Sequence, residues 1–487
     1  VVISGAVLAA AGAVWFHLAE NRSGRIAAAA LALMLTALAA GNAARPLLDV
    51  RYAKGKQLSQ ERFVKWNSFS RIGLRGQAGS AMIFIDADAA TWIPYYDFER
   101  LSEPERQHLL GKGPGLPYLL RPGAKTLVIG AGGGSDLARA LASGSRDVTG
   151  VEINPIIART IMRERFPELS QRLYERPEVR LLVEDGRSFV RRTREQYQVV
   201  QATLVDTWAS TAAGAFALSE NNLYTTEAFG EYLSRLTGDG LLVFTRWGLE
   251  PPRESLRLVS LAAEALTRLG QKDPWRHLAV MREGDPQDLG GWGATDTVLI
   301  GRHPLGAADL ARLRAAARRG GFEIVYLPDE PAQNPFHELL RSPSRQAFLQ
   351  SYRYDVSPVS DNRPFFFYTV QPRELWAFLK SASRGSADYQ INRAVPLLFT
   401  LLAVSVAATA LILALPRLVL GNRVPRARSV MRCLWYFIFI GVGYILIQVA
   451  LVQKFVLFLG HPTYALTVII FSMLLASGLG SYFSRRM

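Results

Sequence analysis

Long apolar runs occur near both ends of the chain, and shorter ones alternate with polar stretches between them. Each long run approaches the ~20 residues that a helix needs to cross a bilayer. They occupy residues 1–19, 26–44, 394–416, 433–452 and 464–483. The pattern predicts five transmembrane helices and therefore an integral membrane protein. No charged region or initiating Met precedes the first run, which favours a fragment edge over a signal peptide there.

Between these runs, from residue 125 to about 281, short apolar strands alternate with helices, which predicts a parallel, doubly wound, Rossmann-like α/β sheet. Three short strand patterns at 68–74, 81–86 and 91–94 predict a small N-terminal β unit, and 297–300, 307–319 and 323–327 add a strand, a helix and a strand. Residues 111–122, rich in Gly and Pro, are interpreted as a link. The predicted domains are two transmembrane helices (1–44), a polar connector with the β unit (45–95), the Rossmann-like domain (96–330), a tail and linker (331–393) and three transmembrane helices (394–487).

The first strand of that domain ends in a glycine-rich turn, in the run Thr126-Leu-Val-Ile-Gly-Ala-Gly-Gly-Gly-Ser-Asp136. Glycines let the backbone approach a ligand closely, and the free N–H groups of a following helix favour a polar ligand. Ser135 is expected to cap that helix. The candidate cofactor-binding glycines are Gly130, Gly132, Gly133 and Gly134 in this turn and Gly186 further along the chain. A role in packing alone is the alternative.

Three later strands each end in a carboxylate. These are Glu152, the pair Glu184 and Asp185 before Gly186, and Asp206. In an open parallel sheet the ligand crevice lies at the carboxyl ends of the strands, so the acids are expected to converge there. The alternative is that each acid only caps the helix that follows it, which fits any one of them better than all three.

The composition is basic: 56 Lys and Arg face 41 Asp and Glu, a formal charge of +15. Many basic residues flank the apolar runs, so anionic lipid headgroups explain the excess better than nucleic acid does. No zinc-ligand spacing or RNA-binding motif is present, and no metal is expected. The single Cys433 excludes a disulfide framework within the chain.

A set of motifs gives the chain a specific likeness. In chain order they are Val128-Ile-Gly-Ala-Gly-Gly-Gly, Val151-Glu-Ile-Asn, Val183-Glu-Asp-Gly-Arg-Ser-Phe, Val205-Asp and Leu223-Tyr-Thr-Thr-Glu-Ala-Phe. Over residues 60–330 the chain resembles the spermidine synthase family, whose fold is that of class I methyltransferases. Three further motifs resemble the membrane-embedded branch of that family: Trp66-Asn-Ser-Phe-Ser-Arg-Ile72, Ser357-Pro-Val-Ser-Asp-Asn-Arg-Pro-Phe-Phe-Phe367 and Gln453-Lys-Phe-Val-Leu-Phe-Leu-Gly-His-Pro-Thr-Tyr464.

The resemblance implies aminopropyl transfer from decarboxylated S-adenosylmethionine to an amine. Glu152 would then hold the ribose and Asp185 would lie near the adenine. Asp206 would accept the proton of the nucleophile, as the family's catalytic Asp does. Trp208 and Tyr224 are candidate substrate contacts, although packing explains Trp208 equally well and helix entry, capped at Thr225, explains Tyr224 better.

The chain departs from the family at three places. Gly133 stands where the glycine turn of the family carries an Asp, Ala209 replaces the second Asp of the catalytic motif, and Leu116-Pro-Tyr118 lies where a Tyr-His-Glu element belongs. Acids beside the donor tail repel the carboxylate of intact S-adenosylmethionine, so losing them makes that donor, and methyl transfer, a serious alternative. A non-catalytic nucleoside sensor and a transporter are the other interpretations.

The expected acceptor is a small-molecule amine or a membrane-associated molecule, with lipids as surroundings and a homo-oligomer left open. The donor is made in the cytosol, so the soluble domain is expected on the cytoplasmic side of the membrane. That membrane is expected to be a bacterial inner membrane. Strict alternation of the helices then puts the basic loop 417–432 on the other side, against the positive-inside tendency.

Overall fold

The computed structural model describes residues 22–44, 61–67, 70–86, 89–205, 220–287, 293–371, 394–420, 428–459 and 462–484, together with residues 7, 52–53, 56–57 and 373. The chain divides into two compact units, residues 1–60 and 61–487. The first contains helix α1 (Arg22–Ala44) and the antiparallel pair β1 (Tyr52–Ala53) and β2 (Lys56–Gln57). Apart from residue 7, the predicted helix 1–19 lies outside the described residues.

A four-stranded antiparallel sheet forms the small β unit, in the order β3-β4-β5-β6. Its strands are β3 (Phe63–Trp66), β4 (Arg71–Arg75), β5 (Met82–Ile85) and β6 (Ala89–Trp92). The last three were predicted. The strand patterns did not predict β3, where Phe63 packs its ring edge-on against Phe166, with 5.7 Å between the ring centroids.

The main sheet has eight strands in the order β14-β12-β13-β11-β10-β7-β8-β9. The ranges are β7 (Thr126–Ile129), β8 (Val148–Val151), β9 (Val179–Leu182), β10 (Tyr197–Thr203), β11 (Leu236–Trp247), β12 (Leu278–Glu283), β13 (Thr295–Gly301) and β14 (Phe322–Tyr326). Strands β7 to β11 pair in parallel with one another, in the order β11-β10-β7-β8-β9, which confirms the Rossmann-like α/β fold.

The sheet is mixed rather than wholly parallel, because β13 runs antiparallel to both β11 and β12, and β14 runs antiparallel to β12. A parallel connection needs a crossover of a dozen or more residues, usually with a helix. Only residues 284–294 join β12 to β13, which is too short for such a crossover and agrees with the antiparallel pairing of the two strands.

The central strands carry side chains into two hydrophobic layers. All four residues of β7 and all four of β8 are buried, as expected for strands covered on both faces. Leu127 and Ile129 enter the core on one face, whereas Val128 enters the core on the other. Strand β9 lies at the edge and alternates, with Val179 buried and Arg180 exposed.

The described residues between β6 and residue 371 form the helices α2 (Glu103–Leu110), α3 (Leu116–Leu120), α4 (Ser135–Ala142), the π-helix α5 (Ile156–Arg165), α6 (Gly186–Arg192), α7 (Thr226–Ser234), α8 (Glu254–Arg268), α9 (Ala307–Gly320), α10 (Pro335–Arg341) and α11 (Arg345–Ser351). Helix α3 lies within 111–122, the segment interpreted as a Gly- and Pro-rich link. Burial decides the conformation there, because Tyr118 is enclosed and donates its hydroxyl to Gln201 Oε1 at 2.6 Å.

Residues 335–371, which follow the predicted boundary at 330, contribute side chains to the same core as α7 and α8. Phe336, Phe348 and Phe366 are buried members of it. Arg257 on α8 is fully buried and donates to the backbone carbonyls of residues 355, 365, 366 and 368. Burial lowers the pKa of Arg257 to about 10, so it keeps its charge at neutral pH.

After residue 373, the described residues form three long helices: α12 (Ala394–Leu420), α13 (Arg428–Leu459) and α14 (Pro462–Ser484). Within the described residues, the windows Trp435–Phe455 and Tyr464–Phe483 are long and apolar enough to cross a membrane, by length and composition. The apolar parts of α12 and α1, Leu397–Ile412 and Ile26–Asn42, are shorter. Most large apolar side chains on α13 and α14 are exposed.

Candidate active site

The glycine turn after β7 adopts backbone angles that side chains disfavour. Gly130, Gly132 and Gly134 have φ values of +75°, +54° and +98°. Glycine reaches this left-handed region without steric cost. The three residues therefore explain why the turn is so rich in glycine, and they bring the start of α4 close to the end of β7.

Gly133 is required for a different reason, which is the close approach of strand β6. Its N–H donates to Thr91 Oγ1 at 3.0 Å, and a Cβ atom at this position would lie 2.2 Å from the carbonyl oxygen of Trp92. Main-chain atoms of the small β unit thus occupy the space where the resembling family carries an acid.

The expectation that Ser135 caps α4 is wrong. Gly134 is the N-cap residue, and the hydroxyl of Ser135 instead donates to the Trp92 carbonyl at 3.3 Å. The β unit lies against the turn and offers this acceptor, so the hydroxyl turns away from the helix N–H groups.

Glu152, one residue beyond β8, is buried and bonded to the glycine turn. Its Oε2 accepts from the Gly132 N–H and its Oε1 from the Asn154 N–H, both at 2.9 Å. Burial raises the pKa of Glu152, while these backbone bonds oppose the rise. The carboxylate is held in a fixed orientation, and its remaining lone pairs can accept hydroxyl groups of a ligand.

Asp185 follows β9 and caps α6, because its side chain accepts from the Ser188 N–H at 2.8 Å. The capping alternative therefore holds for this residue, whereas Glu152 caps no helix. Gly186 permits a close approach: a Cβ there would lie 2.5 Å from Ile129 Cγ2. The start of α6 is thereby fixed beside the end of β7.

The register of the sheet brings these elements together at the edge formed by the carboxyl ends of the parallel strands. Ile129 pairs with Val151, and Val151 pairs with Leu182, so the glycine turn, Glu152 and the start of α6 follow adjacent strand ends. Strand β10 completes the edge, since a Cβ on Gly130 would lie 2.5 Å from Val205 Cγ2. Asp206 and Trp208 come directly afterwards in the sequence but lie outside the described residues, so their roles stay predictions.

Tyr224 is fully buried behind the end of β10. Its hydroxyl donates to the carbonyl of Val205, and its ring stacks on Phe366 with the centroids 4.5 Å apart. Thr225 caps α7 by accepting from the Ala228 N–H at 3.2 Å, which confirms the alternative of helix entry. A substrate contact at Tyr224 stays a prediction, and the observed contact fixes the backbone just before Asp206.

Sequence reasoning missed two residues of this edge. Thr91 shows no local signal, because its role depends on β6 meeting the glycine turn. Arg187 belongs to the third motif, yet its partners lie far along the chain: Glu231 at 2.9 Å and Asp361 at 2.6 Å. Within the described residues, no group of three or more His, Cys, Asp or Glu side chains could hold a metal ion.

The mixed sheet, the small β unit and the glycine turn define a class: the domain has a spermidine synthase-like, class I methyltransferase-like fold. Within that class, the chain is 31% identical over 121 residues to a polyamine aminopropyltransferase of Korarchaeum cryptofilum (strain OPF8). The match covers 25% of this chain and 34% of that protein, so the chain spans about a third of the length of the curated relative. No family model matches the chain.

Two solved structures are more distantly similar. A probable spermidine synthase from Corynebacterium glutamicum ATCC 13032 is 18% identical, with 54% of this chain and 90% of that chain covered and a TM-score of 0.37. Spermidine synthase from Thermotoga maritima is 14% identical, with 55% and 81% covered and a TM-score of 0.37.

Proposed function

We propose that the chain is an integral membrane, spermidine synthase-like transferase that uses an adenosyl-sulfonium donor. The observation that carries the proposal is the bond between Glu152 and the Gly132 N–H, 2.9 Å long. It fixes a carboxylate beside the glycine turn, where it can accept both hydroxyls of a ribose. Asp185 would stand on the adenine side.

The reaction expected from the resemblance is aminopropyl transfer to an amine. The neutral amine nitrogen attacks the aminopropyl carbon that is bonded to the sulfonium sulfur. A new C–N bond forms, and the bond between that carbon and sulfur breaks with its electron pair going to sulfur. Methylthioadenosine leaves, and the proton of the amine passes to Asp206. The sulfonium is already an activated leaving group, so the protein supplies orientation and a proton acceptor.

Methyl transfer from intact S-adenosylmethionine is a second candidate, and Gly133 favours it. The carbonyl of Trp92 fills the space for a side chain there, so no acid at this position repels the carboxylate of the donor tail. In that reaction the methyl carbon is attacked and S-adenosylhomocysteine leaves.

Membrane integration is supported by the two apolar windows in α13 and α14. Their exposed apolar side chains would be stabilised by lipid rather than by water. We place the soluble domain in the cytoplasm, where the donor is made. A reporter fused within residues 381–393 tests this: a periplasmic signal would exclude the cytosolic donor.

Calorimetry of the purified full chain with S-adenosylmethionine, its decarboxylated form and methylthioadenosine tests the donor site. We expect donor binding to be weakened by Glu152→Gln. The control Glu178→Gln should leave it unchanged, because Glu178 lies at the amino end of β9, away from the carboxyl ends of the strands. Preference for the decarboxylated donor supports aminopropyl transfer, and preference for the intact donor supports methyl transfer. If none of the three ligands binds, the proposed function is wrong.

A further inference from the structure

The motif Ser357 to Phe367, which the proposed reaction does not use, docks against the candidate site. Its Asp361 forms a two-pronged ion pair with Arg187: Oδ1 lies 2.6 Å from Nη1, and Oδ2 lies 2.7 Å from Nη2. The side chain of Arg187 is 4% exposed. Bidentate pairs of this kind fix orientation as well as distance.

Arg187 connects this motif to both walls of the site. It comes directly after Asp185 and Gly186, at the start of α6 on the donor side. The same guanidinium donates to the backbone carbonyl of Asn222 at 2.9 Å, in the loop 220–225 that leads to Tyr224. One buried cation therefore joins the donor side, the loop behind the end of β10 and the C-terminal motif.

Loop 220–225 receives further support from the same motif. Thr225 donates its hydroxyl to Asp361 Oδ1 at 2.7 Å, and the Asn221 N–H donates to the carbonyl of Pro364 at 2.8 Å. Although burial alone would raise it, the pKa of Asp361 is held below its usual range by the hydrogen bonds from Arg187 and Thr225. The carboxylate is therefore charged at neutral pH.

The Glu231 carboxylate offers Arg187 a second bidentate partner on α7, with oxygens 2.9 and 3.0 Å from Nε and Nη2. Glu231 alone would neutralise the charge of Arg187. Asp361 also accepts a bond from Thr225, so it connects Arg187 to loop 220–225 as well as balancing its charge.

We propose that Asp361 is a positioning residue of the donor site: through Arg187 it fixes the start of α6 relative to loop 220–225. The C-terminal motif is then part of the site rather than a linker to the membrane helices. The inference rests on the proposed function for its effect on donor binding, but its structural part is independent of any ligand.

The test compares Asp361→Asn with Asp309→Asn in the full chain. Asp309 forms a similar bidentate pair with Arg121, at 2.7 and 2.9 Å, on α9 at the other side of the sheet. We expect Asp361→Asn to weaken donor binding about tenfold and Asp309→Asn to leave it unchanged. Asp361→Glu, which keeps the charge, should restore part of the affinity.

Amide hydrogen exchange gives a readout without donor. In Asp361→Asn we expect faster exchange for residues 186–190 and for 223–226, and no such change in Asp309→Asn. Should Asp361→Asn fail to fold, Arg187→Lys, which keeps a charge but loses the fork, should show the same pattern. Unchanged exchange at both segments would overturn the inference, and so would donor binding that is weakened equally in both Asn variants. Failure of the wild-type chain to bind any donor would instead count against the proposed function alone.

Discussion

The side chain of Asn67 donates to that of Asn154, with 2.8 Å between Nδ2 and Oδ1. Asn67 belongs to the Trp66–Ile72 motif of the small β unit, and Asn154 belongs to the Val151-Glu-Ile-Asn motif that contains Glu152. Asn154 in turn donates to Ser70 Oγ at 2.9 Å. The motif before the sheet is thus bonded to the wall that would bind the ribose.

This bond predicts energetic coupling between the two asparagines. We expect a double-mutant cycle of Asn67→Ala and Asn154→Ala to give a coupling free energy of about 1 kcal/mol, measured by urea unfolding. Asn67→Ala combined with Asn334→Ala, which removes the cap of α10, should be additive. A cycle without coupling would show that the motifs are adjacent but not energetically linked.

Restoring the acid of the resembling family at Gly133 should not restore that family's donor preference. A Cβ atom there would lie 2.2 Å from a main-chain carbonyl, which can move only if strand β6 moves. We expect Gly133→Asp and Gly133→Ala each to lower the free energy of unfolding by about 1–3 kcal/mol. Gly306→Ala is the control, because nothing lies within 4 Å of its Cβ position. Wild-type stability in Gly133→Ala would contradict the close approach.

Donor binding should depend on pH through Glu152. Burial raises the pKa of this carboxyl above 4.5, and only the ionised form accepts both backbone N–H groups and ribose hydroxyls. We expect affinity to fall as the pH is lowered from neutral towards the raised pKa, and Glu152→Gln to bind weakly without that dependence. Calorimetry across this range measures it, and equal pH profiles for both proteins would rule out Glu152 as the source.

The same shift acts on folding in the opposite direction. Because the folded chain holds this proton more tightly than the unfolded chain, Glu152 favours folding below pH 4.5, and that contribution is lost as the pH rises through its raised pKa. Ligand binding and stability should therefore respond to acid with opposite signs at this residue.

Arg257 should matter far more to stability than Arg268 on the same helix. Arg257 is buried and donates to four backbone carbonyls, whereas the side chain of Arg268 is 53% exposed. We expect Arg257→Ala to lower the free energy of unfolding by about 3–5 kcal/mol and to make residues 352–371 sensitive to protease. Arg268→Ala should lower it by about 0–1 kcal/mol. Urea unfolding and limited proteolysis measure both effects, and similar losses of stability for the two variants would show that the bonds from Arg257 do not hold residues 355–368 in place.

The sequence predicted the parts of the fold that depend on local pattern. Buried strands, the glycine turn and the carboxylates after β8 and β9 were all found from periodicity and spacing, because each is decided by neighbouring residues. The antiparallel pairing of β12 with β13 was missed because strand patterns carry no direction. The expected class of donor came from the family resemblance, because the periodicity of apolar residues carries no information about a ligand.

Contacts between distant segments could not be predicted in this way. The Ser135 hydroxyl, a good cap by local rules, bonds to Trp92 because strand β6 folds over the turn. Tyr118 is buried despite its Gly- and Pro-rich surroundings, because Gln201 receives its hydroxyl. Arg187 and Asp361 form their pair across 174 positions, beyond the reach of any local pattern.

The stacking of Phe366 on Tyr224 has a practical consequence. A soluble fragment cut at residue 330, where sequence pattern places the end of the domain, would leave the Tyr224 ring uncovered and Arg257 without its carbonyls. Residues 96–330 are therefore not expected to fold independently when they are expressed without residues 331–371. The smallest piece able to report on the chemistry of this chain extends at least through residue 371.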